Sequence, residues 1–136
     1  MNRRHFLITA TALTTLPIAL SAQMAPEGWL DYQPGMIKSL LAEGKTVFVD
    51  YSASWCSTCK AQERAVTAIR ADSDAYETMS YVRVDWDEYG RHTVTTSRKI
   101  PRRSTLLVLR GDAELGRIVA GTRQADIQAL MDLGAS

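Results

Sequence analysis

The chain has 136 residues, enough for one domain enclosing a single apolar core. Apolar residues make up 46% and charged residues 23%, the proportions of an ordinary globular protein, which excludes a disordered or fibrous chain. The net charge of +1, with Arg102-Arg103 the densest basic spot after the N-terminus, excludes a nucleic-acid binder of the basic-patch kind.

The chain opens with Arg3-Arg4, His5-Phe6-Leu7 and a mildly apolar run to Ala22. A basic start, an apolar middle and small residues at the end are the parts of an export signal, here residues 1–23. The Arg-Arg-x-Phe-Leu pattern resembles a bacterial twin-arginine signal, so the expected location is the periplasm. The stretch from Phe6 to Ala22 is at the lower limit for a bilayer span and contains Pro17. An uncleaved anchor that leaves the domain facing the periplasm is the alternative. The mature part, 24–136, is expected to hold no membrane span and to be a monomer.

Pro34 to Gly44 reads as a short helix, with proline tolerated at its start and Gly44 placed to stop it. Met36, Ile37, Leu40 and Leu41 fall on one face. Thr46 to Ser52 is rich in β-branched and aromatic residues and predicts a strand. Ser57 to about Ala71 predicts a helix with Val66 and Ile69 inward. Tyr81 to Asp85 is a second strand, and Asp87 to Lys99 is polar and ambiguous. Thr105 to Arg110 is a third strand. Gly111-Asp112 turns the chain, and Leu115 to Ala120 returns as the other arm of a hairpin. Thr122 is placed to cap a last helix through Leu133, with Ile127, Leu130 and Met131 on one face and Gly134 after it. Strand–helix–strand implies a parallel pair, and the late hairpin an antiparallel one. The expected fold is α/β, a mixed central sheet with helices on both faces.

Both cysteines lie in the run Trp55-Cys56-Ser57-Thr58-Cys59-Lys60, where the first long strand gives way to a helix. A bridge across so tiny a loop removes little chain entropy and is a poor staple. In an exported protein the pair can close and open reversibly. Structural zinc wants about four ligands, and the mature chain adds only His92 among soft donors. No metal and no bound cofactor are therefore expected.

The order of elements, with Trp-Cys-x-x-Cys-Lys after the first long strand, resembles the thioredoxin superfamily from about Met36 to Leu133. Further positions carry the resemblance: Asp50 six residues before Cys56, Val84-Asp85 at the end of a strand, Ile100-Pro101 ahead of the Leu106–Leu109 strand, and Gly121 after the hairpin. Three features depart from it. Ser57-Thr58 replaces Gly-Pro, three further residues (Arg102, Arg103, Ser104) follow Pro101, and Tyr81 stands where the family has a lysine near the buried acid.

The resemblance implies a thiol–disulfide oxidoreductase acting on oxidised protein substrates, a protein-disulfide reductase in its exported form. Cys56, at the helix start, is expected to be the nucleophile, with its pKa pulled below about 8.5 by backbone N–H groups and the helix dipole. Cys59, one turn further in, is expected to resolve the mixed disulfide. Asp50 is expected to take its proton, since a carboxyl on a buried strand should have a raised pKa. Trp55 is expected to shield the thiols and offer an apolar face to partners, or else to pack in the core. Pro101 is expected to follow a cis bond that exposes the Ile100 backbone to an extended substrate segment, with Gly121 beside the site. Ser57-Thr58 lacks the histidine of strongly oxidising sites, which favours a reductant, recharged by a membrane thiol reductant. A Cu(I) metallochaperone and a dedicated electron relay of the same fold are the alternatives.

Overall fold

A computed structural model describes residues 28–136 together with the backbone of Met24 and Ala25. The export signal expected over residues 1–23 lies outside the described residues. Six strands form one sheet: β1 (Met24–Ala25), β2 (Trp29–Asp31), β3 (Thr46–Ser52), β4 (Ser80–Asp85), β5 (Thr105–Arg110) and β6 (Ala113–Val119). Their spatial order is β1-β2-β4-β3-β5-β6. β2, β4 and β3 run parallel, and β5 and β6 join antiparallel, so the sheet is mixed. The parallel pair β3–β4 is joined over one face by α2 (Ser57–Asp72).

Alternation along the strands divides two cores. Val47, Val49 and Tyr51 of β3 pack with Val82, Val84, Leu107 and Leu109 toward α1 (Met36–Ala42) and α4 (Thr93–Thr96), which add Ile37 and Val94. Phe48 of β3 packs with Trp29, Tyr81, Leu106 and Val108 on the other face. There α2 contributes Val66 and Ile69, and α5 (Gln124–Ala135) contributes Ile127, Leu130 and Met131. Helices therefore cover both faces, as expected. Asp50 and Ser52 share the Phe48 face by the two-residue period, which sets Asp50 among the residues beneath α2.

Four local readings differ. Trp29–Asp31 forms β2, pairing with Tyr81–Arg83, although three residues are too few to show a period. Residues Asp87 to Lys99 resolve into α3 (Trp86–Tyr89) and α4, with His92 capping α4 by accepting from the Val94 N–H at 3.2 Å. The N-cap of α5 is Arg123, with no side-chain cap, rather than Thr122. Gly134 lies inside α5 instead of ending it. A Cβ there would stand 2.9 Å from Val108 Cγ1, so the missing side chain lets α5 sit down on β5.

Candidate active site

Cys56 and Cys59 form a disulfide, with Cα atoms 5.3 Å apart. The strand β3 delivers the chain to Cys56, whose extended backbone (φ −95°, ψ 111°) makes it the N-cap of α2. Its sulfur takes the place of the usual oxygen cap, accepting the Cys59 N–H at 3.2 Å. A negative charge on Cys56 Sγ would thus meet a helix N-terminus and a directed N–H. Both cysteines are buried, Cys56 at 3% and Cys59 at 1% exposure, so the two differ little in access. Ala53 and Trp86 pack against them.

Trp55 stands outside this cluster at 57% exposure, which rules out core packing. It is held on two sides. Its Nε1 donates to Asp87 Oδ2 at 2.9 Å, and the Arg103 guanidinium lies 4.4 Å from the ring centroid. The result is a fixed apolar face next to Cys56. Lys60 is exposed, as its place on α2 suggests.

Asp50 is 1% exposed, and burial pushes its carboxyl from 3.8 up to about 7. Arg83, its register partner on β4, opposes that shift from 4.0 Å, and Glu63 adds to it. Arg83 Nη2 in turn lies 2.9 Å from Glu63 Oε1 on α2. Among the described residues Asp50 Oδ1 has no hydrogen-bond partner. A cleft of about 480 Å³, lined in part by Ser52, Lys60, Glu63, Arg83 and Tyr89, opens the outer end of this pair to solvent. Tyr81 does not take the place of a cation here. Its hydroxyl donates to Tyr76 O, its ring packs against Trp29 and Phe48, and the cation is Arg83, two residues on.

The expectation for Ile100 and Pro101 is corrected. Every peptide bond among the described residues is trans, Ile100–Pro101 included. The Ile100 side chain is buried in the α1–α4 core and its N–H donates to Thr95 O, so that N–H is not offered to a partner. Pro101 is exposed. The three further residues explain this: they carry the chain on to Ser104, and that residue meets the sulfurs. Ser104 Oγ lies 3.2 Å from Cys56 Sγ and 3.1 Å from Cys59 Sγ. Ser104 is fully buried and left-handed at φ 61°, a strained conformation for a non-glycine residue. It is held there by its own N–H to Tyr51 O at 2.7 Å and by the Ala120 N–H on its carbonyl at 2.8 Å. Gln62 of α2 adds a brace, its Nε2 donating to Ser104 O at 3.0 Å and to Gly121 O at 2.9 Å. Gly121 thus reaches the site through its carbonyl, as part of the frame around Ser104.

Sequence reasoning missed Ser104, Gln62, Arg83 and Arg103. Gln62 carried a signal: a polar residue in the inward stripe Cys59–Gln62–Val66–Ile69. Ser104 carried a weaker one, as the residue directly before β5. Among the described residues no group of three or more His, Cys, Asp or Glu side chains is placed to hold a metal ion.

A disulfide capped on a helix N-terminus, at the end of a strand that also buries the Asp50 carboxyl, is the arrangement of a thiol–disulfide exchange protein. The chain belongs to the thioredoxin family, whose model, described as Thioredoxin, matches residues 35–133. It is similar to Thioredoxin-1 of Saccharomyces cerevisiae, 29% identical over 92 residues covering 68% of this chain and 84% of the yeast protein. In structure it is similar to Trxlp from Edwardsiella tarda EIB202, with TM-score 0.66 and 27% identity, over 78% of this chain and 97% of that one. The thioredoxin of Malassezia sympodialis shares the fold at TM-score 0.67 and 20% identity, over 80% and 95% of the two chains. The protein is a thiol–disulfide oxidoreductase whose redox pair is Cys56–Cys59.

Proposed function

We propose that the protein reduces disulfides of other proteins in the periplasm, acting as a monomer and drawing electrons from a membrane thiol reductant. The carrying observation is the Cys59 N–H aimed at Cys56 Sγ on the N-terminus of α2, which favours charge on that sulfur. In the reduced protein the Cys56 thiolate attacks one sulfur of a partner disulfide. A Cys56–partner bond forms and the other partner sulfur leaves as a thiolate. Cys59 gives its proton to the Asp50 carboxylate, directly or through water, and its sulfur attacks Cys56 Sγ. The Cys56–Cys59 bond forms, the partner's second sulfur leaves, and two electrons have passed to the partner. Asp50 suits the proton step because its carboxyl titrates at about 7. Trp55, exposed and pinned, supplies an apolar face for the partner.

The periplasmic setting draws on the Arg3-Arg4 signal pattern, and the direction on Ser57-Thr58, which brings no histidine to the pair. Equilibration with glutathione tests the direction. A reductant should settle near the thioredoxin end of the scale, roughly −270 to −230 mV, and should reduce insulin disulfides. A potential near −120 mV would make the protein an oxidant and end this reading.

A further inference from the structure

We propose that the Ser104 hydroxyl is a catalytic group of this protein, one that hydrogen-bonds the Cys56 thiolate and shifts the dithiol–disulfide balance toward the reduced form. In the disulfide neither sulfur carries a hydrogen, so the contacts at 3.2 and 3.1 Å have the Ser104 O–H as their single donor. One hydrogen can serve one sulfur well, or both poorly.

Reduction adds two electrons and two protons and breaks the Cys56–Cys59 bond. One proton leaves Cys56 to give its thiolate, and the other stays on Cys59. The hydroxyl then donates to Cys56 Sγ while its oxygen accepts from the Cys59 S–H. Two hydrogen bonds replace one, and the stronger of them is to a charge. Ser104 is fully buried, so water cannot stand in for it. Its backbone is fixed at both ends by Tyr51 O and the Ala120 N–H, and Gln62 ties its carbonyl to α2, so the residue that carries the hydroxyl is held against the sulfurs. When Cys56 enters a mixed disulfide its charge is lost. The same hydrogen is then free for Cys59 as that sulfur gives up its own proton. A residue without a hydroxyl in this place would supply none of these bonds.

The inference rests on exchange at Cys56–Cys59 and not on its direction, because every readout is a ratio to the wild type. The reduced full chain and its Ser104→Ala and Ser104→Gly variants are titrated by thiolate absorbance near 240 nm, and each is equilibrated with glutathione. The hydroxyl account expects the Cys56 titration to move up by about one pH unit in both variants. It also expects the equilibrium constant for oxidation to rise about tenfold in both, about 30 mV lower in potential for a two-electron couple. Glycine suits a φ of 61° and alanine does not, so a backbone effect would separate the two variants. The inference is overturned if both variants stay within twofold of wild type, or if they shift in opposite directions. A fold lost in Ser104→Ala alone leaves Ser104→Gly to decide the matter.

Discussion

At the scale of single residues, Asp50 has the largest consequence outside the sulfurs. In an unfolded chain its carboxyl ionises near 3.8, and in the folded protein near 7. Between those values the unfolded form releases the proton while the folded form keeps it. Folding stability from this group is therefore whole below about 3.8, falls as pH rises to about 7, and is level above that. The full window corresponds to about 4 kcal/mol at most. Asp50→Asn should stabilise the oxidised protein at pH 8 by about 2–4 kcal/mol and by little at pH 4, read from urea midpoints. An unchanged midpoint at pH 8 would contradict the buried acid. In turnover the same variant should slow resolution of the mixed disulfide more at pH 7 than at pH 9, where solvent hydroxide competes for the Cys59 proton. A constant ratio between the two pH values would remove Asp50 from the proton step. Asp50 is legible in the sequence because it stands in the strand run between Val49 and Tyr51, six residues before Cys56, where the resemblance places a buried acid. Arg83 is not, because its role depends on the register that sets β4 against β3, and an alternating Val82-Arg83-Val84 looks like any half-exposed strand.

At the scale of elements, the strands that carry the site are the ones their residues announce. β3 and β5 begin and end where the β-branched and apolar runs do. β2 is held by its partner β4 and by Trp29, whose ring meets Phe48 and Tyr81, and local sequence cannot show such support. The loop before β5 misleads for a different reason. Pro101 is conspicuous, whereas a serine forced to positive φ by Tyr51 and Ala120 leaves no mark in composition. Gly134 shows how a helix terminator and a close contact look alike in a sequence. Because a Cβ would stand 2.9 Å from Val108 Cγ1 in a packed core, Gly134→Ala should push α5 off β5 and cost about 1–3 kcal/mol. Denaturant unfolding checks this; a variant as stable as wild type would mean that α5 has room to give.

At the scale of the whole molecule, the fold serves to hold two sulfurs at the end of α2, between Trp55 at the surface and Ser104 beneath. The proposed order makes Cys56 the sulfur that meets a partner and Cys59 the one that releases it. Capture of the intermediate tests this order most directly. Reduced Cys59→Ala and Cys56→Ser variants are mixed with a disulfide-containing protein such as insulin, quenched with acid and weighed by mass spectrometry. Cys59→Ala should carry the partner covalently on Cys56 and stall there, while Cys56→Ser should carry none and turn nothing over. Equal adducts on both variants, or an adduct on Cys56→Ser alone, would contradict the assignment.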